Sequence, residues 1–269
     1  MSEHGSTGKT QIVYFSHGGG PLPILGDAGH QSMVRFMSGL SVDLDRPDAI
    51  IVISAHWEER AATVLGAERP AMFYDYYGFP EEAYKIQYPG PGSPALAKQI
   101  VDCLEDAGLP ARVDLERGFD HGHFIPLKLM YPEADIPSIQ LSLLRGLNPA
   151  AHIALGKALR ALNDMNLLVI GSGFSFHNMS AFFGGGGGGP DRANDAFQDW
   201  LINAVTQAMP ESEREQLLIA WDTAPSARYC HPREEHLLPL HVCAALAGSP
   251  GNVIFDDQIL GKRSVAFRW

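Results

Sequence analysis

The sequence predicts an α/β fold: a single domain in which a central, mostly parallel or mixed sheet is flanked by helices. Three observations predict it. Short apolar runs rich in β-branched residues recur between turn residues, segments of helical periodicity separate them, and no break in composition divides the chain.

In chain order, residues 1–10 (MSEHGSTGKT) are polar and are expected as a flexible N-terminus, leaving 11–269 as one folded domain. They lack the apolar stretch of a secretory signal. Gly8-Lys9-Thr10 looks like the end of a phosphate-binding loop, but Glu3 stands where the earlier glycine is needed. The segment also precedes its strand instead of following it. Residues 11–15 (QIVYF), 49–54 (AIIVIS), 136–143 (IPSIQLSL) and 166–171 (NLLVIG) read as buried strands. A helix is predicted over 94–107, with Ser93 as N-cap and Pro94 in the first turn. Its apolar face is Leu96, Ile100, Cys103, Leu104 and Ala107, and Gly108 ends it. Another helix starts at Asn148–Pro149 and carries Leu155, Leu159 and Leu162 on one stripe. The six glycines Gly184–Gly189 hold no fixed conformation by themselves and read as a flexible surface loop. Residues 191–209 and 234–247 read as helices, and 252–256 and 262–268 as closing strands.

Hydrophobic residues at 45% and charged residues at 19% describe a chain able to bury a sizeable core. With 20 Lys plus Arg against 31 Asp plus Glu, the formal charge of −11 disfavours nucleic acid as a partner. No apolar run approaches the roughly 18 residues of a membrane span. Cys103, Cys230 and Cys243 match no zinc motif, and a reducing cytoplasm is the expected compartment. A homo-oligomer is compatible with all of this.

Histidine is the unusual count, at 11. Functional groups of open α/β sheets gather where strands end, and three histidines sit at predicted strand ends. His17 opens Ser16-His17-Gly18-Gly19-Gly20, His56 lies in Ser54-Ala55-His56-Trp57-Glu58, and His177 in Ser175-Phe176-His177-Asn178. A lone histidine after a strand is more often a satisfied loop residue than a ligand, whereas three on neighbouring strand ends suggest a metal. Two further clusters accompany them. In Cys230-His231-Pro232-Arg233-Glu234-Glu235-His236, the proline and acidic pair suit a helix entrance with His236 in its first turn. In Gly118-Phe119-Asp120-His121-Gly122-His123-Phe124, two histidines and an aspartate share a glycine-hinged loop, with Asp120 expected to orient the His121 ring. Neither cluster is specific alone.

The chain also resembles a family. Ser-His-Gly near the N-terminus, Ser54-Ala55-His56-Trp57, Gly78-Phe79-Pro80, Tyr88-Pro89-Gly90-Pro91-Gly92-Ser93-Pro94 and Gly118-Phe119-Asp120-His121-Gly122 carry the likeness. So do Tyr131-Pro132-Glu133-Ala134-Asp135-Ile136-Pro137, His177-Asn178 and Glu235-His236-Leu237-Leu238-Pro239-Leu240. Together, over roughly 11–247, they look like the DOPA-dioxygenase group of class III extradiol dioxygenases, with their LigB-like fold. Gly18-Gly19-Gly20, where the family often has Gly-Ser-Pro, and the hexaglycine run depart from that pattern.

The resemblance implies a catalytic domain with one buried mononuclear site. It implies His17, His56 and His236 as metal ligands, His121 in acid–base work, and His177 as a fourth ligand or a substrate-facing group. The implied reaction takes a catechol-type substrate and O2 to a ring-opened semialdehyde. Fe(II) is the cofactor that this chemistry requires, because zinc cannot relay electrons to O2, although zinc is a plausible occupant of the purified site. The usual non-haem iron triad contains a carboxylate, so Glu234 or Glu235 is the fallback third ligand. Two other readings share these residues: a zinc hydrolase using the same three histidines, and a non-catalytic metal- or partner-binding protein of the Memo type.

Overall fold

The computed structural model describes residues 9–183 and 191–269. Among these residues eight strands form one sheet: β1 Gln11–Ser16, β2 Ala49–Glu59, β3 Ala62–Leu65, β4 Ala111–Asp114, β5 Ser138–Leu144, β6 Leu167–Gly173, β7 Asn252–Ile259 and β8 Lys262–Arg268. Their spatial order is β4-β3-β5-β2-β6-β1-β8-β7. The middle four, β5-β2-β6-β1, are mutually parallel. β8 closes antiparallel on β1, and β3 antiparallel on β5, so the sheet is mixed.

The helices are α1 Gln31–Asp43, α2 Pro94–Asp106, α3 His121–Met130, α4 Pro149–Ala158, α5 Met179–Phe183, α6 Arg192–Thr206, α7 Glu211–Ile219, α8 Ala227–Cys230 and α9 Leu238–Ala247. Side chains alternate across a strand, and the core divides accordingly. Ile50 and Val52 of β2 join Met33 and Met37 of α1 and Phe124 and Leu127 of α3 on one face. Ile51 and Ile53 join Leu96 and Ile100 of α2, Leu155 of α4 and Val242 of α9 on the other. None of the described helices is long and apolar enough to cross a membrane.

Several local expectations change. β2 runs on to Glu59, so His56 lies within a strand, just where pairing with β5 shifts register between Ile53 and Glu58. In α2 the Ser93 hydroxyl does accept from the Leu96 N–H, but Ala97 replaces Ala107 on the buried face, Cys103 being only partly covered. The segment 118–124 is no glycine-hinged loop: α3 starts at His121 behind Asp120. The helix predicted over 191–209 ends at Thr206, because the chain before Pro210 turns extended, and α7 follows as a separate helix. The helix predicted over 234–247 begins at Leu238, with Pro239 in its first turn, so His236 stands in the turn that precedes it. β3, β4 and α1 lacked a distinct sequence signal. Thr10, assigned to the flexible N-terminus, is tied by its hydroxyl to the carbonyls of Leu162 and Met165. Residues 1–8 and the Gly184–Gly189 run lie outside the described residues.

Candidate metal centre

β1, β2 and β6 adjoin at the centre of the sheet, and their C-terminal ends open into one cavity of about 220 Å³. His17, immediately after β1, His56 of β2 and His236 of the pre-α9 turn form its floor. Their donor nitrogens all lie within 4.8 Å of one another. His56 Nε2 stands 2.9 Å from His17 Nε2 and 3.3 Å from His236 Nε2.

Partners on the far side of each ring fix which nitrogen faces the cavity. The Ser172 hydroxyl donates to the Gly122 carbonyl, so its oxygen accepts from His17 Nδ1–H at 3.0 Å. His236 Nδ1–H donates to Glu235 Oε1 at 2.9 Å, and His56 Nδ1 faces Asp75 Oδ2 at 3.6 Å. Each Nε2 therefore turns a bare lone pair toward the other two. Burial, reinforced by the neighbouring histidines, pushes His17 and His56 well below the ordinary histidine pKa. For His236 burial and then His177 outweigh Glu235, and the value falls to about 3. Neutral rings with lone pairs converging are what a divalent cation needs. Two nitrogens at right angles around a metal about 2.1 Å away would be about 3.0 Å apart, close to the spacing of this cluster.

Two carboxylates each serve a pair of histidines. Asp75 accepts from the backbone N–H and Nδ1 of His121, at 3.0 and 2.8 Å, while also facing His56. Glu235 Oε1 takes His236 Nδ1 and, at 3.1 Å, His177 Nδ1. Burial favours the protonated form of both acids, yet hydrogen bonding to the histidines prevails and holds both below the ordinary range. His121 and His177 thus stand on opposite flanks: the His121 ring lies 3.9 Å from that of His56, and the His177 ring stacks on His236 at 3.4 Å.

All five histidines singled out from the sequence come together here. Of the two other histidines in those sequence clusters, His123 is buried against Phe119, 3.6 Å between rings, and His231 is buried with Nε2 on the Ser175 carbonyl. Glu235 lies behind His236 instead of among the three nitrogens, and Glu234 pairs with Arg228. Asp120, the expected partner of His121, is committed to Ser54, Arg117 and Gln140, and Asp75 takes its place. Sequence reasoning passed over Asp75, although a lone acid inside the aromatic run 73–77 was a usable signal. It also missed His30, whose Nε2 accepts the Gly19 N–H at 2.9 Å and secures the glycine turn after His17. Gly18, at φ +85°, has no room for a side chain, since a Cβ would meet Pro23 at 2.8 Å. Leu22, Tyr76, Phe79, Phe174, Met179, Phe182 and Leu260 complete the wall, and no sequence motif marks them as a group.

The chain is similar to known proteins over nearly its whole length. It is 39% identical over 280 residues to the dioxygenase tasH of Hapsidospora irregularis, covering 97% of this chain and 86% of that one. To the 4,5-DOPA dioxygenase extradiol of Beta vulgaris it is 37% identical, over 91% of this chain and 90% of the relative. The crystal structure of an uncharacterized Escherichia coli K12 protein superposes with a TM-score of 0.78 at 30% identity, covering 96% of this chain and 98% of that one. Residues 27–265 match the family described as the catalytic LigB subunit of aromatic ring-opening dioxygenase. With the converging histidines and this match together, the chain belongs to that family, and it is an extradiol ring-opening dioxygenase.

Proposed function

We propose that the protein is a non-haem Fe(II)-dependent dioxygenase that takes a catechol-type substrate and O2 to a ring-opened semialdehyde. His17, His56 and His236 would hold the iron. Bound there, Fe(II) would supply the redox partner through which a catecholate and O2 exchange electrons. Everything else is done by the chain. His121, its Nδ1–H given to Asp75, presents a bare Nε2 that accepts a catechol hydroxyl proton and later returns it. On the opposite flank His177, held the same way by Glu235, faces the substrate and is the second candidate for proton transfer. Tyr76, Phe79 and Phe174 clasp a single aromatic ring and keep water from the reacting centre, in a cavity smaller than the ~300 Å³ at which drug-sized pockets begin. The three cysteines are free, which suits a cytoplasmic location.

One observation carries this reading: three lone pairs aimed at one point, beside two further histidines whose far nitrogens are held by carboxylates. Anaerobic reconstitution with Fe(II), followed by oxygen uptake on a panel of catechols, tests it. Stoichiometric oxygen consumption with a yellow ring-opened product is expected. Zinc competes well for such a site, so a zinc-loaded preparation is expected to be stable and inactive. Turnover in a preparation free of iron and manganese, or activity indifferent to oxygen, would instead favour hydrolysis at the same histidines.

A further inference from the structure

Among the described residues, four that are not glycine adopt a left-handed backbone, and of these Leu260, at φ +53°, lines the cavity. It stands at the tip of the β7–β8 hairpin. The strand register pairs Ile259 with Lys262, so the loop is Leu260 and Gly261 alone, at φ +53° and +73°. Two successive left-handed residues make the mirror-image turn that Asn-Gly, Asp-Gly or Gly-Gly form most easily. A leucine there crowds its Cβ against the following carbonyl, so the turn itself does not select it.

What the leucine gains is a place in the wall. Its N–H donates to the Gly29 carbonyl at 2.9 Å, and its side chain lies over two glycines. A Cβ on Gly29 would come within 3.0 Å of Leu260 Cδ2, and one on Gly19 within 3.5 Å of Leu260 Cδ1. Gly19 follows His17 by two residues and is held in turn by His30, so the Leu260 side chain is set against the same turn that leaves the histidine floor. Asp256, Asp257 and Gln258 are exposed, and Leu260 is the residue of this hairpin that reaches the cavity. Backbone strain retained at a cavity wall points to contact with what the cavity holds. A catechol bound at the floor through its two oxygens turns the far edge of its ring, where a substituent is carried, toward the walls.

We infer that Leu260 is a specificity-determining residue: its side chain meets the substituent at the far edge of the catechol ring, and its bulk sets how large a substituent the cavity takes. The inference rests on the catechol reading above. Fe(II)-loaded unaltered protein, Leu260→Gly and Leu260→Phe are titrated anaerobically in a calorimeter with 4-methylcatechol and 4-tert-butylcatechol, and oxygen uptake is measured on the same pair. Leu260→Gly suits the turn and opens the wall. It should move the ratios of affinity and of kcat/KM about tenfold toward the tert-butyl compound, the low end of what one methylene is worth in an apolar pocket. Leu260→Phe should move both ratios by a similar factor toward the methyl compound. Leu260→Asn, equally compatible with the turn, serves as a second opened wall if Leu260→Gly does not fold. A residue that only packs the hairpin would change stability to urea and leave both ratios in place, and that result overturns the inference. So does a shift of the smaller and larger side chains in the same direction. Oxygen uptake separates the two claims. If the binding ratios move as expected while neither catechol consumes oxygen, the ring-opening reading fails and the Leu260 inference stands; oxygen consumption with unmoved ratios has the opposite meaning.

Discussion

The division of labour among five histidines follows from what each Nδ1 touches. His17 is expected to be indispensable for metal, so His17→Ala should lose both metal and turnover. His121→Gln should keep its metal and lose about 10²–10⁴-fold in rate, the usual worth of a general acid–base. Metal analysis alongside steady-state kinetics checks both, and a His121→Gln protein devoid of iron would hand the proton-transfer role to His177. Glu235 makes a sharper case, because one carboxylate oxygen aims His236 at the floor and His177 at the flank. Partners of this kind typically govern metal affinity by about 10–100-fold. Glu235→Gln should therefore weaken metal binding by about that factor, whereas His177→Ala should not. Equal metal affinities for Glu235→Gln and the unaltered protein would show that the carboxylate does not set the His236 ring.

Among the elements, β6 and the turn that precedes α9 act as one unit. The His236 carbonyl accepts from the Phe174 N–H at 2.9 Å and from the buried Tyr14 hydroxyl at 3.1 Å. That close packing requires glycine at the end of β6: a Cβ on Gly173 would lie 2.0 Å from the His236 oxygen. Gly173→Ala must push the turn away, and overpacking of this sort costs about 1–3 kcal/mol. Chemical denaturation should show that loss, and metal titration should show a weakened site, although residue 173 touches no ligand nitrogen. A variant with unchanged stability and metal affinity would mean that the turn can move without moving the ring. The Glu58–Arg233 ion pair, at 2.7 Å, also ties β2 to the same turn.

Across the whole molecule, buried histidines, His241 among them, make stability depend on pH. His241 is fully buried, with Nε2 2.7 Å from the Leu218 carbonyl and Nδ1 3.3 Å from that of Leu237. Burial outweighs those carbonyls and pushes its pKa down to about 4. The unfolded chain binds this proton near pH 6.5 and the folded chain only near 4, so stability is complete above about 6.5 and falls as pH drops through that window. One such group contributes a slope of up to about 1.4 kcal/mol per pH unit. Urea denaturation of metal-free protein from pH 7 to 4.5 should show His241→Gln with a shallower decline than the unaltered chain. Parallel declines would assign the acid sensitivity to other groups.

What the sequence determined by itself was local. Apolar runs marked the parallel strands, Ser93 and Asn148 marked helix starts, and five histidines beside strand ends and turns marked the chemistry, because periodicity, capping and turn residues act over a few positions. β3 and β4, four residues each, were too short to carry a pattern, and the His121 turn of α3 was hidden by its glycine. Only the tertiary structure decided how the histidines are used. The strand order places β6 between β1 and β2 and so brings His17 beside His56, and packing of the pre-α9 turn on Gly173 brings His236 to both. It also exchanged Asp120 for Asp75 as the partner of His121, and moved Glu235 from candidate ligand to the group that aims two rings. Such choices depend on which atoms meet across the sheet, and one-dimensional spacing holds no record of that.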